Sequence, residues 1–203
     1  MRLYDLKAGM NTRRVRIFLA EKGLQIPLVE IDMKAGENRS AAFLSKNPMG
    51  TMPVLELDNG SYLAESVAIC RYLEEAIQPE PNLFGRDAGE RAEIEMWNRR
   101  MELEIVLPLT ASFQHSSPFW KGLRTQIPEA GELARKNALQ RMGWLDKELS
   151  KRSFVVGSRY TIADITAQCG LVLGKHTGTP IPKEMKNLDR WFREVSARPT
   201  ARA

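Results

Sequence analysis

Asn47-Pro48-Met49-Gly50-Thr51-Met52-Pro53-Val54-Leu55-Glu56-Leu57, with Glu65-Ser66 shortly after, is the stretch that decides how the first half of this chain folds. Proline has no N–H to give to a strand ladder, so Pro53 directly ahead of Val54, Leu55 and Leu57 marks a strand entered through a special proline, with a cis Met52-Pro53 bond expected. Such a bond turns a backbone edge outward, where the N–H and C=O of Met52 can pair with a peptide-like ligand as an added strand. Asp58-Asn59-Gly60 is a hairpin signal between strands at 54–57 and 61–63. The chain then enters a helix near Ser66, whose hydroxyl and amides suit a carboxylate. A small anionic peptide satisfies both halves. Taken singly, each half has a structural reading: a tight turn, and an N-cap serine.

Working outward, the first part alternates strand and helix. A strand is expected at 3–6, a helix at 12–22 stopped by Gly23, a strand at 28–31, a short helix at 41–45, the Pro53 hairpin, and a closing helix at 67–76. This βαβ-α-ββα order is that of a thioredoxin-like domain, assigned to residues 1–78. Gln78-Pro79-Glu80-Pro81-Asn82 breaks regularity, so 79–85 reads as a linker with Leu83 and Phe84 as anchors. Residues 86–203 read as all helical. A long helix runs from about 86 to 112 with Ile94, Trp97 and Met101 at helical spacing and a kink expected at Pro108, and further helices follow at 129–151, 162–173 and 188–198. Thr161 with Asp164 three residues on makes a capping box, and Tyr160 and Ile165 can staple that helix start.

Bulk properties narrow the function. The chain has 203 residues, 43% of them hydrophobic, which suits one domain or two small ones with real cores. Its net charge of +5 is too diffuse to argue for nucleic acid. The densest basic run, Arg13, Arg14 and Arg16, is read as the solvated face of an amphipathic helix, able to draw an anion toward the neighbouring pocket. No stretch reaches the roughly 18 apolar residues of a membrane span, and Met1-Arg2-Leu3-Tyr4-Asp5 lacks a signal-peptide core. Cys70 and Cys169, far apart and inside helical patterns, are assigned to packing, with a disulfide between them left open. A cytoplasmic, reduced protein is the simplest case. His115 and His176 have no acidic or cysteine neighbours at ligand spacing, so no metal is expected.

Met52-Pro53 and Glu65-Ser66 at this spacing, together with Leu3-Tyr4-Asp5, the helix from Arg13 to Gly23, Asn47-Pro48-Met49-Gly50, and Gly157 followed by Thr161-Ile162-Ala163-Asp164, resemble the bacterial-type cytosolic glutathione S-transferases over nearly the whole chain. The resemblance implies a thioredoxin-like domain that binds glutathione, an all-helical domain that adds a hydrophobic second-substrate site between the domains, no prosthetic group, and a homodimer. Residues around Met49, Tyr62, Arg71, Glu75, Glu93 and Trp97 are its expected contact.

Glutathione transfer requires the thiolate, yet a cysteine thiol titrates near ~8.5, so the site must stabilise negative sulfur. The donors belong to the turn Gly9-Met10-Asn11-Thr12 that opens the first helix. Here the chain departs from its relatives, which commonly place a serine in a Ser-Pro-Asn run where this chain has Gly9-Met10-Asn11. Nor is there a cysteine. Asn11, whose amide can donate without titrating, ranks first, the Thr12 hydroxyl second and the Tyr4 phenol third. Asn11 is also a favoured N-cap residue, and both roles stay open. Tyr4 is expected to be buried against the second domain. Glu65 would orient Ser66 or take the ligand's ammonium group, and Lys34, in the loop 34–38, would meet the glycine carboxylate. For the second substrate, Trp97, Arg100, Met101 and Glu104 share a helical face, overlaid by Phe113, His115, Phe119 and Trp120, although core packing is the commoner role of such a stripe. The implied reaction is conjugation to a small hydrophobic electrophile. Glutathione-dependent peroxide or disulfide reduction, or a noncatalytic binding or regulatory role, stand as alternatives.

Overall fold

Short apolar runs bounded by turn residues become four strands: β1 (Arg2–Asp5), β2 (Leu28–Glu30), β3 (Val54–Glu56) and β4 (Tyr62–Ala64). In the computed structural model, which describes residues 1–203, they form one sheet in the order β2-β1-β3-β4. β1 runs parallel to β2, with Leu3 opposite Leu28, and antiparallel to β3, with Leu3 opposite Leu55. β4 completes the hairpin antiparallel to β3. The parallel β1–β2 step requires a crossover, supplied by α1 (Met10–Glu21), and α1 packs against α3 (Ser66–Tyr72), which runs on into a wide π-helical turn over Leu73–Ile77. The short α2 (Ala41–Leu44) is capped by the Ser40 hydroxyl, which accepts from the Phe43 N–H at 3.2 Å. The Met52-Pro53 bond is cis, and so is Glu80-Pro81, which the sequence reading did not single out.

The chain divides into Met1–Leu83 with Arg202–Ala203, and Phe84–Ala201. Residues 79–83, read as linker, therefore belong to the first unit, and Lys22 is the reason. Its ammonium is buried beside the Glu74 carboxylate at 2.8 Å and donates to the Pro79 and Pro81 carbonyls at 3.1 and 2.5 Å. Glu74 in turn accepts from Asn82 Nδ2 and the Leu83 N–H. A buried ion pair is tolerated when its remaining hydrogen-bonding capacity is filled, and here the linker's own backbone fills it.

Phe84–Ala201 is helical: α4 (Ala88–Arg100), α5 (Leu107–Ser116), α6 (Pro128–Leu149), α7 (Ile162–His176) and α8 (Lys186–Ser196). Ahead of Pro108, where a kink is expected, a π-helical segment over Met101–Val106 joins α4 to α5, with Pro108 in the first turn of α5. Proline cannot donate to the carbonyl four residues back, and the change of hydrogen-bond register ahead of it accommodates the missing N–H. α7 is apolar on nearly every side and is the buried centre of this unit, packed by α4, α5, α8 and the π segment. Its polar side chains are bonded inside the core: Thr166 donates to Asn98 at 2.7 Å and Gln168 to the Val195 carbonyl. Asp164 accepts from the N–H groups of Thr161 and Val155, from the Thr161 hydroxyl and from the Trp191 indole. Both cysteines are buried, and no disulfide joins them. No helix is long and apolar enough to cross a membrane.

Candidate functional site

The first turn of α1 is open at its end. Gly9 is the N-cap residue and offers no side chain, so the asparagine read as a cap is instead the second helical residue. The reason for glycine is spatial: a Cβ at position 9 would lie 2.7 Å from Thr12 Oγ1 and 3.0 Å from the Leu6 carbonyl oxygen. Thr12 occupies the room a serine would need. Its hydroxyl donates to the Leu6 carbonyl at 2.6 Å, lies 2.9 Å from the Gly9 carbonyl, and is 1% exposed as a residue. This corrects Thr12 as a thiolate donor, because its proton is already engaged and shielded.

Asn11 is exposed on the same turn, one residue past the partly exposed Met10. Its Oδ1 accepts from Arg14 Nη1 at 3.0 Å, which directs its NH2 group away from Arg14. The same Arg14 nitrogen donates to Ser66 Oγ at 2.5 Å, so one guanidinium ties the start of α1 to the start of α3. Arg14 is buried, not solvated as its pattern suggested, and Arg16 is likewise engaged, paired with Asp5 at 2.6 Å and bonded to the Lys7 carbonyl ahead of α1. These two arginines fix the loop and the turn that carry Asn11.

Glu65, just before Ser66, has φ of 68°, and it is the one residue other than glycine with a positive φ. A glutamate in that region is strained, and strain of this kind collects at ligand-binding turns. Glu65 is exposed, while Ser66 is 5% exposed and turned toward Arg14. Met52 is partly exposed ahead of the buried Pro53. The turn before it is held by two buried asparagines to which the sequence reading gave no role of their own. Asn47 Nδ2 donates to the Thr51 carbonyl at 2.8 Å, and Asn38 Nδ2 to the Gly50 carbonyl at 2.8 Å, where φ is 63°. The signal for Asn47 was its place ahead of Pro48 and Gly50, a turn-forming combination. Lys34 is exposed on the loop, its N–H bonded to Asp32.

Tyr4 is buried, but within its own unit, packed with Ile31, Phe43 and Val54. Its hydroxyl donates to Glu56 at 2.7 Å. Burial, then the hydrogen bond to Glu56, pushes the phenol's pKa up, the opposite of an activated phenol. Hydrogen bonds from Arg2 and then Tyr4 hold the Glu56 carboxyl down at about 2. Tyr4 is therefore a structural residue.

The residues chosen for a second substrate separate. Met101 has no exposed surface, and Trp97, at 5%, stacks on Trp144 with ring centroids 5.6 Å apart and the Arg152 guanidinium 4.0 Å over its ring. Both are core, which also removes Trp97 from any surface contact between copies. His115 Nδ1 accepts the Ile127 N–H at 3.1 Å, bracing the start of α6. Glu104 is paired with Arg141 at 2.7 Å, and Arg100 lies 4.8 Å over Trp97. The exposed apolar residues on this helix are Met96, Leu103 and Leu107. At 3.6 residues per turn Trp97 and Met101 share one face while Leu103 and Leu107 fall on another, so the stripe through Trp97 and Met101 is the core-facing side of the helix.

Comparison with known proteins identifies the family. Residues 10–76 match the profile described as glutathione S-transferase, N-terminal domain, and residues 128–199 that described as glutathione S-transferase, C-terminal domain. The chain is 36% identical to glutathione S-transferase 2 of Saccharomyces cerevisiae, covering 100% of this chain and 88% of the relative. It is 28% identical to FtsZ-localized protein A of Caulobacter vibrioides over 98% of this chain and 88% of that one. A crystal structure of a glutathione S-transferase domain-containing protein from Marinobacter aquaeolei superposes with a TM-score of 0.92 at 37% identity, covering 98% and 99% of the two chains.

Proposed function

The chain belongs to the glutathione S-transferase family, and from that premise we propose that it binds glutathione, holds its thiol as thiolate and adds the sulfur to a small hydrophobic electrophile. The observation that carries this reading is the convergence of an uncapped helix start, an outward-facing Asn11 amide and Ser66, all joined through Arg14. Backbone N–H groups of a first helical turn have no partner within the helix, and their dipoles favour an anion. Asn11 adds a donor that does not titrate.

In this reading the Met52 peptide group pairs with the cysteinyl backbone of glutathione, and Ser66 with the amides behind it takes the γ-glutamyl carboxylate. Glu65 meets the ammonium group and Lys34 the glycine carboxylate. The thiol proton leaves to solvent as the thiolate forms. Sulfur then attacks the electrophilic carbon, and the leaving group departs with its electron pair. Fixed donors and a fixed nucleophile supply the rate, and no prosthetic group takes part. Exposed apolar side chains, rather than the buried Trp97 and Met101, serve the electrophile. The protein acts as a homodimer in the cytoplasm.

A second reading, reduction of peroxides or disulfides by glutathione, draws on the same site, because Gly9 and Asn11 stand where a serine is usual. Turnover of 1-chloro-2,4-dinitrobenzene measured beside cumene hydroperoxide and hydroxyethyl disulfide tests both. Faster conjugation supports the first reading and faster reduction the second. Glutathione binding with no turnover of any of the three would leave a binding role.

A further inference from the structure

Arg14 carries a charge that nothing around it balances. The residue is 2% exposed, its Nη1 donates to two neutral oxygens, Asn11 Oδ1 and Ser66 Oγ, and its Nε has no partner. No carboxylate pairs with it, whereas Arg16 on the same helix is matched by Asp5. The nearest acidic residue to Ser66 in sequence, Glu65, is exposed and makes no bond to it. A guanidinium remains protonated throughout the range in which proteins fold, and a buried charge without its opposite is strongly unfavourable. A methionine or leucine would serve folding better at such a position. The charge answers to a group that arrives from outside.

We infer that Arg14 is a positioning residue of the site: it holds the Asn11 carboxamide by its oxygen so that the NH2 group faces the incoming sulfur, ties that group to Ser66, and supplies the positive charge that an anionic ligand completes. The inference rests on the glutathione reading above and assigns the coupling between its two ends to one side chain. Because a single nitrogen serves both oxygens, a ligand carboxylate seated at Ser66 and the donor offered to sulfur are set together. The competing account is a purely structural tie between α1 and α3.

Three measurements on the full chain separate the accounts: melting without ligand, glutathione affinity by calorimetry, and the pH midpoint of the bound thiol by ultraviolet absorbance. Arg14→Met is expected to melt no lower than wild type, to bind glutathione about tenfold more weakly, and to raise the thiol midpoint by about one pH unit. Arg14→Lys restores part of the midpoint but not the affinity, since an ammonium lacks the planar fork. In an Asn11→Ala background, Arg14→Met moves the midpoint by much less. A structural tie predicts the reverse: lower melting with unchanged affinity and midpoint, and that result overturns the inference. Should Arg14→Met not fold, Arg14→Lys decides, with weakened binding in a stable protein supporting the inference and wild-type binding overturning it. Failure of the wild-type protein to bind glutathione would overturn the proposed function and this inference with it. Wild-type binding with an unmoved midpoint in the variants would overturn this inference alone.

Discussion

Replacing Asp164 should damage the helical unit without touching the glutathione site. The carboxylate is wholly buried and accepts four hydrogen bonds, from Val155 N–H and Trp191 Nε1 on one oxygen and from the Thr161 N–H and hydroxyl on the other. Asp164→Ala strands three buried N–H donors at about 1–3 kcal/mol each. Against that loss stands the relief of a buried charge: desolvation pushes the Asp164 carboxyl up to about 6 from 3.8 despite its donors, a cost of roughly 3 kcal/mol at neutral pH. The net expectation is a loss of about 3 kcal/mol, or a melting temperature lower by roughly 6–12 °C. Asp164→Asn keeps an oxygen for Val155 and Trp191 but turns its NH2 toward the Thr161 donor, so it should lose about half as much. A further signature comes from pH. Because the folded pKa is raised, the folded state binds more protons than the unfolded state between about pH 4 and 6, so this group's contribution is full below pH 4 and disappears as pH rises through 6. From pH 7.5 to 5 the wild type should gain about 1.4 kcal/mol that Asp164→Asn does not. Urea unfolding at the two pH values measures this, and calorimetry below the transition should show unchanged glutathione affinity. Equal stability of wild type and Asp164→Ala, or a wild-type advantage that shrinks on acidification, would refute the reasoning.

Four other outcomes follow. Ser66→Ala should weaken glutathione binding by about tenfold, checked by calorimetry; unchanged affinity removes Ser66 from the site. Gly9→Ser should not restore a missing hydroxyl but destabilise the first unit by about 1–3 kcal/mol, since its Cβ meets Thr12 Oγ1, and the added Thr12→Ala should recover most of that loss. Lys22→Met should leave Glu74 buried and unpaired, costing about 3–5 kcal/mol and exposing the 79–83 segment to limited proteolysis. Gly174→Ala should cost about 1–3 kcal/mol by thermal melting, because the added carbon would lie 2.7 Å from the Thr179 carbonyl.

The parts legible in the sequence were those in which one residue's covalent chemistry imposes the backbone. Pro53 has no donor, Asp58-Asn59-Gly60 closes a hairpin, and Thr161 with Asp164 makes a helix start, so the two-part fold and the position of Met52 could be read directly. What stayed hidden depended on partners distant in the chain. Arg14 lies between Arg13 and Arg16 in what looks like a solvated basic run, and only the approach of Ser66, 52 residues away, shows that it is buried. Lys22 ends a helix as any surface lysine might, until Glu74 and the carbonyls of the linker enclose it. For the stripe through Trp97 and Met101 the helical spacing held, but spacing alone does not tell a core face from a ligand face: both side chains turned inward, the commoner role of such a stripe, while Leu103 and Leu107 stayed out. Thr12 was misjudged because its hydroxyl is engaged by a carbonyl six residues back, in a loop whose geometry the sequence did not fix.

The central claim is that this chain stabilises a glutathione thiolate without a serine, tyrosine or cysteine at the sulfur. The direct test is the ultraviolet absorbance of the bound thiolate, titrated over pH in wild type and Asn11→Ala, with the protein's own tyrosine ionisation subtracted using the S-methylglutathione complex. The account predicts a wild-type midpoint at least about one unit below that of free glutathione, returning most of the way in Asn11→Ala. Bound glutathione whose thiol titrates as it does in water, or a midpoint that Asn11→Ala leaves in place, would contradict it.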